Sequence, residues 1–216
     1  MGVALLAVAG GVWWVWGGED AEPRTAAVPD TLCKTSISTR LVKKMLPPGP
    51  YLSAGTDGDP WTDIDDLLQS DDTDDPGYAR CTVHASAEPG EEGYVVVLVQ
   101  LWPVADAREV MQTHEEGGSM PSDGRSITWG PALGYMSPAD TELAVRCTPP
   151  KGSGFTNHHA LTVTIEPNPK VAGRPHTAEL SAQLAAEVMR YAVQQAAHCT
   201  DTPTLPTQTG AVRHDG

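Results

Sequence analysis

Motifs of known enzyme classes are missing from this sequence. It contains no G-x-S-x-G or S-x-x-K nucleophile motif, no H-E-x-x-H zinc motif and no glycine-rich phosphate-binding loop. Ser153 lies between two glycines in a flexible turn, and His114-Glu115-Glu116 lacks the second histidine of the zinc motif. Adjacent acids such as Glu91-Glu92 lie in turns, where two carboxylates rarely converge on one glycosidic bond. We therefore predict no catalytic residues and no cofactor.

Basic residues are also scarce. The chain has 14 Lys and Arg against 28 Asp and Glu, and its formal net charge of −14 repels nucleic acid. Many of the aspartates lie in a long loop that ends at Gly77. Closely spaced carboxylates can bind calcium, but Trp61 interrupts the EF-hand order and no Glu closes a twelve-residue loop. We interpret this loop as a solvated segment and retain as calcium candidates only Asp57, Asp59, Asp63, Asp65 and Asp66.

The four cysteines contain no C-x-x-C pair, which argues against a zinc or thioredoxin-type site. An even number of cysteines outside the cytoplasm predicts two disulfides. We predict Cys33–Cys81 and Cys147–Cys199, because each bond would then join the apolar stripe of a helix to the inward face of a strand. Pairing Cys33 with Cys147 or with Cys199 also brings buried positions together, and the sequence leaves these alternatives open.

The first eighteen residues are almost entirely apolar or glycine and end in a tryptophan-rich stretch. As a helix this run is roughly 27 Å long, close to the thickness of a bilayer core. We predict an uncleaved transmembrane anchor; a cleaved secretory signal and a buried helix of a soluble domain are the alternatives. No lipobox precedes Cys33, which argues against a lipid anchor. The predicted organisation is an anchor or signal over 1–18, a linker over 19–30, one domain over 31–200 and a disordered tail over 201–216.

Apolar periodicity predicts an α+β domain with a mostly antiparallel sheet. With one Phe and five Tyr in the chain, Leu, Val and Ala must supply much of the core. The pattern indicates an N-terminal helix over 31–46, a helix over 105–115 and a long C-terminal helix over 177–199, with Thr177 as a helix cap. The predicted strands are 78–86, 93–104, 126–129, 133–136, 141–148 and 160–166. The first two and the last two of these strands should each form a hairpin.

This layout resembles an actinobacterial family of extracytoplasmic domains of unknown function, which includes many lipoproteins. It is also similar to the extracellular sensor domain of a mycobacterial receptor kinase. The resemblance depends on the early helical Cys33, on Cys81 in the first strand, on the apolar strand Val95 to Trp102 and on the closing helix from Leu180 to Cys199. It implies a Mog1/PsbP-like α/β sandwich with a cleft.

Two functions therefore remain open. The first is a membrane-anchored, non-catalytic domain of the bacterial cell envelope that binds or senses a protein or a small molecule. The second is an extracytoplasmic, hydrolase-like enzyme whose site assembles from dispersed residues. In both cases we expect a single-pass cell-membrane protein with its domain outside the cytoplasm, or a secreted protein if the N-terminal segment is cleaved.

Overall fold

A computed structural model describes residues 30–32, 35–47, 78–86, 92–104, 106–117, 121–148, 150–151, 160–197, 199–201, 204–208 and 213–214. The apolar N-terminal run and the aspartate loop lie outside these residues. Within them, no helix is long and apolar enough to cross a membrane. The described residues form an α+β fold, as the apolar periodicity predicted.

The centre of the fold is one antiparallel sheet in the order β1-β2-β6-β5-β4-β3-β7. Both predicted hairpins are confirmed, since β1 pairs with β2 and β5 pairs with β6. The pairing of β2 with β6 joins the two hairpins into one sheet. The strand bounds are β1 Tyr78–Ser86, β2 Glu92–Trp102, β3 Arg125–Trp129, β4 Ala132–Met136, β5 Thr141–Arg146, β6 Ala160–Pro167 and β7 Arg213–His214.

Helices pack on both faces of this sheet. Their bounds are α1 Arg40–Met45, α2 Ala107–Glu116, α3 Pro169–Ala172 and α4 Thr177–Tyr191. Helix α2 agrees with the prediction, and Asp106 caps its N-terminus: the Asp106 carboxylate accepts hydrogen bonds from the backbone N–H groups of Arg108 and Glu109. Helices α1 and α4 share the main hydrophobic core with one face of the sheet, while α2 packs on the other face.

Side-chain alternation along the strands determines what each helix contacts. In β5, Leu143 and Val145 belong to the core beneath α4, whereas Ala144 packs with Ala107 and Val110 of α2. Strand β6 follows the same rule, with Leu161, Val163 and Ile165 in the main core. The face under α2 therefore carries the residues between them, and several of these are polar.

The predicted helix over 31–46 is mostly wrong, because among its described residues only Arg40–Met45 is α-helical. Thr31 instead forms an antiparallel bridge with Ser38. The Thr35 hydroxyl donates to the carbonyl of Leu32 at 2.6 Å and accepts from the N–H of Ile37 at 3.1 Å. Such side-chain bonds to nearby backbone compete with helical hydrogen bonding, which explains the turn in place of a helix.

The long C-terminal helix is confirmed, but both of its ends differ from the prediction. Thr177 is not the cap: it is the first helical residue, and its hydroxyl donates to the carbonyls of Val171 and Arg174 at 2.8 and 3.0 Å. His176 precedes it with a positive φ of 62°. After Tyr191 the chain continues as a π-helical turn, Ala192–Ala196, and Cys199 lies beyond it.

The segment after residue 200 was predicted to be disordered, and its described parts contradict this. Leu205 is buried in the main core. The Trp129 indole N–H donates to the carbonyl of Gln208 at 3.2 Å, and Arg213–His214 pairs with β3. The threonine- and proline-rich composition gave no sign that this segment supplies one buried leucine and one carbonyl that accepts a hydrogen bond from a buried tryptophan.

The Cys147–Cys199 disulfide is confirmed, with a Cα–Cα distance of 5.0 Å. It connects the chain just after β5 to the chain just after the π-helical turn, and it excludes both alternative pairings. Cys81 is also disulfide-bonded. Cys33 lies outside the described residues, so the Cys33–Cys81 bond stays a prediction.

Candidate functional site

The calcium candidates Asp57, Asp59, Asp63, Asp65 and Asp66 lie outside the described residues, and so do Ser153 and Glu91. Elsewhere, in the part of the chain that the structure describes, no group of three or more His, Cys, Asp or Glu side chains could hold a metal ion. Two other features of the described residues could be functional. One is a cleft at the end of α4, and the other is a buried polar network under α2.

The cleft lies between the turn before α1 and the C-terminal end of α4. Its volume is about 240 Å³. The lining is mostly polar and consists of Ser36, Ile37, Ser38, Glu187, Arg190, Tyr191, Gln194 and Gln195. The two glutamines belong to the π-helical turn, a distortion that often occurs at functional sites. Residues 35–39, which are not α-helical, place the two serines at this position.

Arg190 is the most unusual residue of the cleft. Its guanidinium lies 5.6 Å from the centre of the Trp129 ring, a distance typical of a cation–π contact. Its Nε and Nη2 are buried, yet they have no hydrogen-bond partner in the described part of the chain. Buried donors on a charged group are costly when they are unpaired. Arg190 therefore keeps two guanidinium donors out of contact with solvent and without a partner in the described part of the chain.

Glu187 lies one helical turn before Arg190 and lines the same cleft. Burial raises the pKa of this carboxyl, and the positive charges of Arg40 and Arg190 act in the opposite direction. The cleft consequently presents both signs of charge beside neutral hydroxyl and amide groups.

The second feature is a polar network between α2 and the sheet. The Tyr135 hydroxyl donates to Asp140 Oδ2 at 2.6 Å, and the Thr164 hydroxyl donates to Glu142 Oε2 at 3.2 Å. His114 of α2 places its Nδ1 at 3.7 Å from the same Glu142 oxygen. Three atoms of the network are buried without a hydrogen-bond partner among the described residues: His114 Nδ1, Asp140 Oδ1 and Glu142 Oε1.

The sheet register brings these residues together. Glu142 pairs with Thr164 on one side and with Tyr135 on the other, so all three point to the same face. The turn before β5 positions Asp140, because the Ser137 hydroxyl accepts from its N–H at 3.0 Å. The ring of Trp102 contacts the His114 ring in an edge-to-face arrangement, with the ring centroids 6.0 Å apart.

Burial controls the charges in this network. Burial, together with the charge of Asp140, raises the pKa of Glu142 to about 8. Burial also raises the pKa values of Asp140, Glu166 and Tyr135, and it lowers the pKa of His114. At neutral pH Glu142 is therefore protonated and His114 is neutral, so a carboxylic acid lies beside an imidazole that can accept a proton.

Sequence reasoning missed both features. Glu142 and Thr164 occupy outward positions of alternating strands, which normally indicates solvent exposure, and only α2 makes them buried. His114 lacks the second histidine of a zinc motif, so no motif indicates a role for it. One signal was available: Glu142 is the only charged residue in the run Thr141 to Val145.

The cleft and the network lie in different layers of the fold. The cleft is formed by α4 and the chain before α1, on the main-core face of the sheet, whereas the network lies on the face under α2. Comparison with known protein families, curated proteins and solved structures finds no match. The resemblance to actinobacterial extracytoplasmic domains consequently stays a prediction.

Proposed function

We propose that this chain is a membrane-anchored, non-catalytic binding domain on the outer side of a bacterial cell membrane. The observation that carries the proposal is the Cys147–Cys199 disulfide, because such bonds persist in oxidising compartments. Cys81 is also in a disulfide, so each described cysteine is oxidised. The apolar run over 1–18 supplies the anchor in this proposal, and the layout of cysteines and strands shared with extracytoplasmic domains supports it.

The cleft supports binding rather than catalysis. The described residues that line it offer a guanidinium, a carboxylate and neutral polar groups, but no histidine or cysteine. The Glu142–His114 pair lies on the other face of the sheet, under α2. A substrate in the cleft would therefore lie beyond hydrogen-bond reach of the Glu142–His114 pair.

Protease accessibility tests the compartment. Protoplasts that express the full chain are treated with protease, and the domain is detected with an antibody. We expect digestion in intact protoplasts, and we expect Cys147 and Cys199 to appear in one peptide on non-reducing mapping. A variant without residues 1–18 is the control, since it should stay inside and be protected. Protection of the full chain, or free Cys147 and Cys199 thiols in it, would contradict the proposal.

A hydrolase is the second candidate, and the Glu142–His114–Asp140 network is the observation that favours it. A protonated glutamic acid with a pKa of about 8 is suited to general-acid chemistry. However, the Glu142 side chain is only 5% exposed, so α2 would have to move before a substrate could reach it. Turnover of an ester, glycoside or peptide substrate that is lost in Glu142→Gln would favour this function over the first.

A further inference from the structure

The described parts of the C-terminal segment lie across one edge of the sheet in the way that a bound peptide would. Leu205 is buried in the main core and is only 6% exposed. The next residue, Pro206, packs on Gly130, since a Cβ on that glycine would lie 2.6 Å from Pro206 Cδ. Further along the chain, β7 pairs antiparallel with β3. We call residues 204–208 together with β7 the strap.

Trp129, the last residue of β3, contacts the strap directly. Its indole N–H donates to the carbonyl of Gln208 at 3.2 Å, and the indole is completely buried. The strap is therefore held by backbone pairing with β3, by one indole donor and by one apolar side chain in the core. These are the components of strand addition, in which main-chain bonds give affinity and side-chain pockets give specificity.

The strap uses only part of the edge that β3 offers. All five residues of β3 pair with β4 on its inner side. On its outer side β7 pairs only with Ile127 and Thr128, as far as the described residues extend. A longer strand in the same register could continue toward Arg125 and form more ladder hydrogen bonds. Such a strand would bind more strongly than the strap if it carried the same leucine.

The strap can leave without unfolding the domain. The chain just before it is fixed by the Cys147–Cys199 disulfide and by Asp201, whose carboxylate accepts from Arg146 Nε at 2.8 Å. Segments with few buried contacts open locally at a lower free energy than the whole fold. Release of the strap would therefore leave the sheet and α4 in place.

We propose that the outer edge of β3, the Leu205 position and the Trp129 indole bind an extended segment of another protein that carries a Leu-Pro pair, and that the strap occupies this site until it is displaced. The formal net charge of −14 makes two copies of the chain repel each other, which favours another protein over a second copy. The inference rests on the proposed binding function and names its partner class, and it does not involve the cleft.

Fluorescence anisotropy tests this inference on the full chain in detergent micelles. The probe is a fluorescein-labelled peptide with the sequence of residues 202–214, and Leu205→Asp disables the strap in the chain, because an unpaired buried carboxylate is costly. We expect saturable binding to this variant. Binding to the wild-type chain should be at least tenfold weaker, because its tethered strap competes at a high effective concentration. A probe that itself carries Leu205→Asp is the matched control and should bind neither chain.

Three results would overturn the inference. The first is no saturable binding by the Leu205→Asp chain up to about 100 μM, provided that the chain melts cooperatively; if it does not, Leu205→Ala gives the same test without a buried charge. The second is equal affinity of the wild type and the variant, since the strap would then not occupy the site. The third is a wild-type dimer, seen by light scattering, that becomes monomeric in Leu205→Asp, which would assign the site to the strap of a second copy.

A further variant locates the site on β3. In the Leu205→Asp chain, Trp129→Phe should weaken binding of the probe at least threefold, because phenylalanine keeps a ring but has no N–H donor. Tyr94→Phe is the matched control: it also removes one donor from an aromatic ring, but it lies on β2, far from β3 in the sheet. Unchanged binding in Trp129→Phe, or equal weakening in both variants, would overturn the location.

Protease accessibility separates the two proposals. A domain that is digested in protoplasts but binds no probe after Leu205→Asp contradicts the partner class and leaves the extracytoplasmic function standing. A domain that is protected in protoplasts contradicts the function, whatever it binds.

Discussion

At the scale of single residues, Glu142 is deeply buried, and its carboxyl group makes fewer hydrogen bonds than it could. Its side chain is 5% exposed, Thr164 donates to one oxygen, and the other oxygen has no partner among the described residues. Such a carboxyl is more stable in its neutral form, which is why its pKa is about 8. The folded state consequently holds a proton that the unfolded chain releases.

Glu142→Gln tests this state of protonation. The folded pKa lies above the ordinary value of 4.5, so the stability from this group is complete below pH 4.5 and is lost as the pH rises through about 8. Glutamine mimics the neutral acid at every pH. We expect the free energy of unfolding of the variant, relative to the wild type, to rise by on the order of 3 kcal/mol between pH 4.5 and pH 8.

Urea unfolding at several pH values measures that difference. Glu115→Gln is the control, because Glu115 lies on the same helix as His114 but is exposed. The free energy of unfolding of the control should keep the pH dependence of the wild type. Parallel curves for Glu142→Gln and the wild type would show that Glu142 is ionised in the folded protein.

At the scale of elements, the approach of β4 to β5 depends on a glycine. A Cβ on Gly134 would overlap the carbonyl oxygen of Glu142 and would lie 3.0 Å from the Cα of Leu143. Both contacts are with backbone atoms of the neighbouring strand, so no side chain can rotate away. This tight contact therefore lies directly beside Tyr135 and Glu142, in the pair of strands that carries the polar network.

Gly134→Ala should destabilise the domain by about 2–3 kcal/mol, because β4 and β5 must separate to admit the methyl group. Gly173→Ala is the matched control: its Cβ would lie 3.6 Å from the carbonyl oxygen of Pro169, an ordinary contact. The control should change the free energy of unfolding by less than about 0.5 kcal/mol. Thermal or urea unfolding measures both variants, and equal stability of the two would refute the close approach.

At the scale of the whole molecule, Cys147–Cys199 links the two halves of the main core. The bond spans 52 residues and connects the sheet to the end of the C-terminal helical segment. The chain after it is held by Asp201, whose carboxylate accepts from Arg146 Nε at 2.8 Å and from the Thr148 hydroxyl at 2.7 Å. The cleft residues of the π-helical turn lie just before this anchored point.

Removal of the bond by Cys147→Ala with Cys199→Ala should lower the free energy of unfolding by about 4 kcal/mol in the chain-entropy model. For a domain of this size the melting temperature should fall by roughly 8–16 °C. Calorimetry without reductant measures the change. With dithiothreitol present, the difference between variant and wild type should nearly disappear; a difference that persists would assign the loss to packing at Cys147 rather than to the cross-link.

Local patterns in the sequence determined strands β1 to β6, α2 and the body of α4, because side-chain periodicity is set by neighbours a few residues apart. The same reasoning identified Cys147 and Cys199 as inward-facing. Local patterns gave the wrong prediction for the described residues of 31–39, where the Thr35 and Ser38 hydroxyls form hydrogen bonds with nearby backbone groups. They also missed that Leu205, after residue 200, is buried in the main core. Composition alone does not show whether a short polar segment packs against the folded domain.

Only the tertiary structure decided the strand order, the cleft and the polar network. The pairing of β2 with β6 joins segments about 65 residues apart, and no local pattern encodes such a choice. Glu142 and Thr164 become neighbours through the register of the β5–β6 hairpin, and His114 joins them through the position of α2. Burial then changes their protonation, which is a property of the folded environment rather than of the residues themselves.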